Sequence, residues 1–371
     1  MTDSHSANAI VDALLSVRET DAPRTRPMPL EPLGFGRFLA DHVLRVDYAP
    51  MEGWHEWRIE PYGAMPFEPA AGVLHYAQAI FEGLKAFRGA DGVVRVFRLA
   101  DHCRRFATSA VGLAMPPVDP EALADGILQL IKLDAGWVPA ARGTALYIRP
   151  FMFANEAFIG VRAAERFACL VITSPVAPYY GGGTTSGTLK ATRLWVEDQA
   201  VRAAPGGIGA IKAAANYAAS IRAAVEAKKK GFDQVLWLDA LSHTEIEEAG
   251  TMNVFVRIGD EVMTPPLGGT ILAGITRDSS LALLRDWGIS VTERSISVAE
   301  MRAAHARGEL NEVFGTGTAA VISPVGVLGF RDTAITVGDG TPGPIARRLY
   351  DAITAIQYGE ASDPHKWTTK V

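Results

Sequence analysis

A chain of 371 residues, 48% hydrophobic and 21% charged, can bury a full-sized core, which excludes global disorder. At roughly 150 residues per domain it has room for two or three domains. Lys+Arg 36 against Asp+Glu 41 give a net charge of −5, so no basic face for binding nucleic acid through its phosphates is expected.

The first residues, MTDSHSANAIVDALLSV, lack the basic start of a secretion signal, and Asp12 interrupts the apolar patch Ala9–Leu15. Phe167–Leu189 and Val313–Phe330 are uncharged but broken by proline and glycine, so no membrane span is expected. Two cysteines, Cys103 and Cys169, are too few for a disulfide framework and suit a reducing cytoplasm.

Residues 1–33 are polar and proline-rich and read as an arm rather than a packed element. Strand character follows at Leu44–Tyr48, Trp57–Ile59, Val93–Phe97, Ala145–Phe153 and Ala168–Thr173. One helix is defined by its ends: Asp119 as N-cap, Pro120 at the first helical position, and Gly136 as its stop. Leu123, Ile127, Leu130 and Ile131 form its apolar face.

The segment 174–190, SPVAPYYGGGTTSGTLK, has no periodicity and reads as a linker between a domain at 34–173 and a larger one at 191–371. Beyond it, strands are expected at Arg193–Val196 and Gln234–Leu238, and a hairpin from Val254–Ile258 and Glu261–Met263. Helices are expected at Asn216–Lys230, Asp278–Trp287 and Pro344–Ile356. The pattern is mixed α and β in two halves, not a clean βαβ series.

The eight histidines are scattered without metal-ligand spacing. Among glycine-rich turns, Gly182 to Gly187 lacks the lysine of a P-loop, and Gly207-x-Gly209 is followed by Lys212 where a small residue is needed. Gly315-x-Gly317-x-x-Ala320 has dinucleotide spacing, but Pro324 cuts short the helix that should follow. Such a turn, with Thr316 and Thr318, can instead approach a single phosphate ester, or be an ordinary turn.

Lys212, in GGIGAIKAAANYAAS, has no acid within ten residues. It either snorkels to solvent or is held inside, where desolvation favours the neutral amine that Schiff-base and proton-shuttling lysines use. Glu248 precedes Ala-Gly-Thr. Drawn inward it could face a pyridine nitrogen; otherwise it is a surface glutamate like Glu245.

Together these pieces resemble the branched-chain amino-acid aminotransferases, pyridoxal-phosphate enzymes of fold type IV. The motifs run from Phe35 to Val325: FG-x-x-x-x-DH (35–42), LHYAQAIFEGLKAF (74–87), DHCRRF (101–106), LYIRPF (146–151), NEAFIGV (155–161), IKAAANYAAS (211–220), EEAGTMNVF (247–255), ILAGITR (271–277) and EVFGTGTAAVISPV (312–325). The resemblance implies a two-domain α/β fold with the active site between the domains and the cofactor lysine in the larger, C-terminal one.

It implies that Lys212 holds pyridoxal 5'-phosphate, Glu248 partners its ring nitrogen, and Tyr217 its ring hydroxyl. Arg105, Ile275, Thr276 and Thr318 would form the phosphate cup. Thr251 and Ala319 would take the α-carboxylate. Phe35, Tyr76, Phe81, Tyr147 and Arg149 would line the side-chain pocket. Ile159 and Val161 resemble a loop that enters the partner's site, implying a homodimer. The implied reaction moves the amino group of L-leucine, L-isoleucine or L-valine to 2-oxoglutarate. Alternatives are a D-amino-acid aminotransferase or aminodeoxychorismate lyase of the same fold type and, in a different class, a dinucleotide-dependent oxidoreductase built on Gly315–Ala320. Two departures stand out: Ala214-Ala215 replaces the family's Gly-Gly, and Ala320 and Ser323 stand where some members carry a CxxC pair.

Overall fold

The structure is a computed structural model that describes residues 15–27, 33–177 and 189–371. The chain forms two compact units: one of Met1–Gly187, Ile211–Ala215 and Ile356–Val371, the other of Thr188–Ala210 and Asn216–Ala355.

The first unit carries β1 (Ser16–Val17), β2 (His42–Ala49), β3 (Gly53–Pro61), β4 (Ala79–Phe81), β5 (Leu84–Arg88), β6 (Val94–Phe97), β7 (Ala145–Ala154) and β8 (Phe167–Val176). With Thr368–Lys370 they form one sheet in the order β1-β3-β2-β8-β7-β5-β6 and then the C-terminal strand, β4 pairing with β7. Among the described residues its helices are α1 (Gly72–Tyr76), α2 (Leu99–Gly112) and α3 (Pro120–Leu133). The core joins sheet residues such as Leu44, Ile59, Leu84 and Ile148 to Cys103 and Phe106 of α2 and Leu123, Ile127, Leu130 and Ile131 of α3.

α3 begins as its sequence dictates: Asp119 accepts hydrogen bonds from the N–H groups of Glu121 and Ala122, with Pro120 at the first turn. It ends at Leu133, and Ala135–Trp137 forms a 3-10 turn, so Gly136 is not its stop. A Cβ at Gly136 would lie 2.4 Å from the Arg26 guanidinium, so the glycine instead makes room for the N-terminal segment.

That segment, expected to be unpacked, is tied down over its described residues. Ser16 and Val17 pair in parallel with β3. The Thr20 N–H donates to His42 Nε2 (3.0 Å), and the Arg24 N–H to Asp41 Oδ1 (2.6 Å). Asp41 and His42 are buried, and Asp134 holds the other nitrogen of His42 at 2.7 Å. Residues 1–14 and 28–32 of the expected arm lie outside the described residues.

The expected domain division also changes. β8 runs through Val176, into the expected linker, of which 178–188 lie outside the described residues, the Gly182–Gly187 turn among them. Ile211–Ala215, with Lys212, belongs to the first unit rather than to the C-terminal one, because its backbone bridges β4 (Ile80 with Ala213) and Ile211 packs where α2 has Gly112. The C-terminal end returns to the first unit too. The Tyr358 hydroxyl accepts from the Gly143 N–H (2.9 Å) and donates to the Thr144 carbonyl (2.6 Å).

The second unit holds β9 (Thr192–Glu197), β10 (Gln234–Leu238), β11 (Ile246–Ala249), β12 (Met252–Ile258), β13 (Glu261–Thr264), β14 (Val291–Glu293), β15 (Leu310–Gly317), β16 (Val321–Gly329) and β17 (Ala334–Thr336). The order β11-β10-β9-β16-β15-β12 closes on itself because β11 also pairs with β12. Closure removes the unpaired edges of these six strands and surrounds an apolar core of Leu194, Leu236, Val254, Val256 and Leu328. Its helices are α4 (Ala214–Lys229, starting at the end of the first unit's segment), α5 (Ile275–Asp286), α6 (Val298–Ala306) and α7 (Pro344–Tyr358). α4 begins at Ala214-Ala215, so the alanines that replace the family's glycines are helical.

Candidate functional site

In the first unit, Lys212 is fixed by its backbone at both sides. Its N–H donates to Ser109 Oγ of α2 (3.2 Å), and its carbonyl accepts from the Phe81 N–H of β4 (3.1 Å). These bonds set the start of the side chain, and Lys212 Nζ lies 4.9 Å from the centre of the Phe81 ring. The Arg149 guanidinium lies 4.8 Å from that ring and 5.1 Å from the Tyr147 ring, and donates to the Tyr147 hydroxyl at 2.8 Å. Phe35 meets Tyr147 edge-on with centroids 4.7 Å apart. A Cβ at Gly83 would lie 2.0 Å from the Tyr147 hydroxyl, so only glycine admits the phenol there. Four of the five expected pocket residues, Phe35, Phe81, Tyr147 and Arg149, are thus brought together with Lys212.

Tyr76 is not among them. It is 45% exposed, and its hydroxyl donates to the Ile159 carbonyl. Ile159 and Val161 are 65% and 88% exposed. These residues form an exposed, largely apolar surface of the first unit.

Arg105 of α2 is paired side-on with Glu82. Its Nε and Nη2 donate to Oε1 (3.0 and 2.7 Å), and Nη2 also reaches Oε2 at 2.9 Å. His102 Nδ1 sits 2.6 Å from Oε2. Burial pushes the Glu82 carboxyl up, but Arg105, His102 and Lys212 together outweigh it and hold it at about 2. Burial lowers His102 below its ordinary value despite Glu82, so the neutral ring donates its Nδ1–H to the carboxylate.

In the second unit, Glu248 of β11 is buried, with Oε2 2.5 Å from Arg202 Nε. Asn253, its cross-strand neighbour in β12, donates from Nδ2 to Glu248 Oε1 (3.2 Å) and to the Leu272 carbonyl (2.8 Å). Arg202 also donates from Nη2 to the carbonyls of Gly209 and Thr270. The glutamate was expected to face inward or to be a surface residue; it is inward and ion-paired.

Ile275 and Thr276 open α5, whose N-cap Gly274 makes no side-chain cap. A Cβ at Gly274 would lie 1.8 Å from Asn253 Oδ1, so glycine lets the helix start close against β12. The first-turn N–H groups of a helix without a side-chain cap suit an anion. Thr251 lies in the β11–β12 turn, and Thr318 and Ala319 in the β15–β16 turn. Because Asn253 pairs with Thr316, both turns leave the same end of the sheet. Tyr217 lies in the first turn of α4, five positions beyond Lys212 in the chain.

Each unit carries donors that suit part of pyridoxal phosphate: the first a lysine for its aldehyde and a guanidinium for an ester dianion, the second a buried carboxylate for a ring nitrogen and helix-start amides for an anion. The dinucleotide alternative fails, since Gly315 and Gly317 end strand β15 and a second strand follows, with no helix after the turn. Among the described residues no group of three or more His, Cys, Asp or Glu could hold a metal, and no helix is long and apolar enough to cross a membrane. Glu82, His102 and Asn253 stand inside the quoted motifs without a role assigned there, and Arg202 outside them; their partners in the fold give all four their place.

The family model of amino-transferase class IV matches residues 79–327. Branched-chain-amino-acid transaminase 1 of Bacillus subtilis (strain 168) is 45% identical over 361 residues, spanning 97% of this chain and 100% of its own. The solved branched-chain amino acid aminotransferase of Escherichia coli is 26% identical with a TM-score of 0.71, over 84% of this chain and 95% of that one. The T.th. enzyme of the same name, complexed with N-(5'-phosphopyridoxyl)-L-glutamate, is 25% identical with a TM-score of 0.70, over 88% and 97%. The chain belongs to the class IV aminotransferases and, within them, to the branched-chain-amino-acid transaminases.

Proposed function

We propose that this protein transfers the amino group of L-leucine, L-isoleucine or L-valine to 2-oxoglutarate with pyridoxal phosphate bound at Lys212. The observation that carries the reading is the placement of Lys212: clamped by Ser109 and Phe81 and facing the aromatic and guanidinium group of Phe81, Tyr147 and Arg149. Near-full-length kinship with a branched-chain transaminase supports the substrate class.

When bound, the cofactor supplies a ring that accepts the electron pair released at the substrate's Cα. Lys212 Nζ takes the proton from that carbon and returns it on the other side of the exchange, acting as base and then acid. Glu248, compensated by Arg202 and steadied by Asn253, holds a proton on the ring nitrogen. Tyr217 donates to the ring hydroxyl. Arg105, the first N–H groups of α5 at Ile275 and Thr276, and the Thr318 hydroxyl hold the ester. Thr251 and Ala319, in turns at one end of the sheet, receive the α-carboxylate.

One pocket serves two substrates. Phe35 and Phe81 pack against an aliphatic side chain, while Arg149 and the Tyr147 hydroxyl receive the second carboxylate of 2-oxoglutarate. When leucine is bound, the Tyr147 hydroxyl and both rings remain partners of Arg149, which offsets the absence of the carboxylate.

The protein acts as a homodimer in the cytoplasm. The exposed apolar side chains of Tyr76, Ile159 and Val161 support a partner surface there, and the two buried free cysteines suit a reducing compartment. The test is a spectrum of the purified protein with L-leucine and then 2-oxoglutarate. The yellow band is expected to fall and then return, and D-alanine is expected to leave it unchanged. Turnover with D-alanine and none with L-leucine would assign the chain to the D-amino-acid branch instead.

A further inference from the structure

We infer that Glu82, backed by His102, is a positioning residue that sets the orientation of Arg105 toward the cofactor's phosphate ester. The inference rests on the proposed role of Arg105 and adds the group that holds it.

Glu82 is 1% exposed, and its two oxygens are taken up by Arg105 and His102. Its own N–H donates to the Pro150 carbonyl at 2.7 Å, which fixes the backbone beneath the carboxylate. The side-on pair occupies the Nε–Nη2 edge of the guanidinium, which locks its plane and directs the opposite edge away from Glu82.

A buried ion pair contributes little net stability compared with apolar residues of the same volume, so burial of this one calls for another reason. Glu82 also reduces the positive charge that Arg105 can offer an anion. Orientation is the gain that offsets this, because a planar donor fork binds an ester well only when it is held in the right plane. The neighbouring residue explains why the carboxylate sits here. Phe81 holds the Lys212 carbonyl, so consecutive residues at the end of β4 set the lysine and the arginine.

The test compares the affinity of the full chain, freed of cofactor, for pyridoxal phosphate and for pyridoxal, which lacks the ester. Absorbance titrations would use the wild type, Glu82→Gln, Arg105→Ala and the double variant. Glu82→Gln is expected to weaken pyridoxal phosphate about tenfold while pyridoxal stays within about twofold, the size of one charge-assisted hydrogen bond to the ester. The double variant is expected to be no weaker than Arg105→Ala.

An unchanged affinity ratio in Glu82→Gln, with a reduced ratio in Arg105→Ala, overturns the positioning role alone. An unchanged ratio in Arg105→Ala removes its ester role, and the inference falls with it. Fully additive effects in the double variant also overturn the inference. Should Glu82→Gln not fold, Glu82→Asp keeps the charge but withdraws the carboxylate by one carbon. A selective weakening of pyridoxal phosphate is again expected, and equal weakening of both ligands overturns the role.

Discussion

The Phe81 N–H donates to the Lys212 carbonyl at 3.1 Å, while the Phe81 ring lies 4.9 Å from Lys212 Nζ. One residue thereby fixes both the backbone of the lysine and the ground over which its amine moves. The ring is also shared with Arg149, so the proposed base and the proposed carboxylate receptor lean on a common wall. Replacing Phe81 with leucine keeps the backbone bond and removes the ring. KM for L-leucine and for 2-oxoglutarate are both expected to rise, with cofactor content unchanged. Normal KM values for both would show that the ring does not serve the pocket.

Glu248→Gln removes the charge that Arg202 compensates but preserves shape. The cofactor is expected to bind still, with single-turnover proton abstraction from L-leucine slowed at least ~100-fold, as for a removed electrostatic stabiliser. Glu248→Ala is expected also to lower stability by ~3 kcal/mol, because it removes the carboxylate paired with the Arg202 side chain, which is only 8% exposed. Unchanged single-turnover rates in Glu248→Gln would remove the carboxylate from the reaction.

Arg149→Gln separates the two substrates. A charge-assisted hydrogen bond to the second carboxylate is worth ~2 kcal/mol, so kcat/KM for 2-oxoglutarate is expected to fall roughly 30-fold. The value for L-leucine is expected to stay within about threefold, since the aliphatic chain meets the rings. Equal losses for both substrates would contradict the division of the pocket.

Glu82 and His102 tie stability to pH in one direction. Glu82 sits at about 2 in the folded chain against an ordinary 4.5, so the stability it contributes is present above pH 4.5 and is lost as pH falls toward 2. His102 is lowered from 6.5, which also makes the folded chain bind fewer protons than the unfolded one, so stability starts to fall below pH 6.5. Urea midpoints measured from pH 7 to pH 3 are expected to drop more for the wild type than for Glu82→Gln/His102→Asn. Parallel pH profiles would show that the pair does not carry this linkage.

Elements with a chemical end were legible in the sequence. Asp119-Pro120 begins α3, Pro344 begins α7, and Gln234–Leu238 forms a strand over the expected residues. α5 starts at Ile275, three residues before the expected Asp278; its N-cap Gly274, which lacks a side chain, lies close against Asn253, a neighbour that no local pattern announces. Lys212 was legible as an unusual lysine, but its assignment to the first unit depends on Ile80, Phe81 and Ser109, far away in the chain. Neither Glu82 nor Arg202 has a local pattern that sets it apart from the other charged residues of the sequence. Pairing with Arg105 and Glu248 is a property of the fold, which periodicity does not encode.

Borohydride fixation of the cofactor on the purified yellow protein, followed by peptide mapping, tests the role of Lys212 most directly. One pyridoxyl-labelled peptide is expected, carrying the label on Lys212 within GGIGAIKAAANYAAS. A label on Lys85 or any other lysine, with Lys212 unmodified, would contradict it.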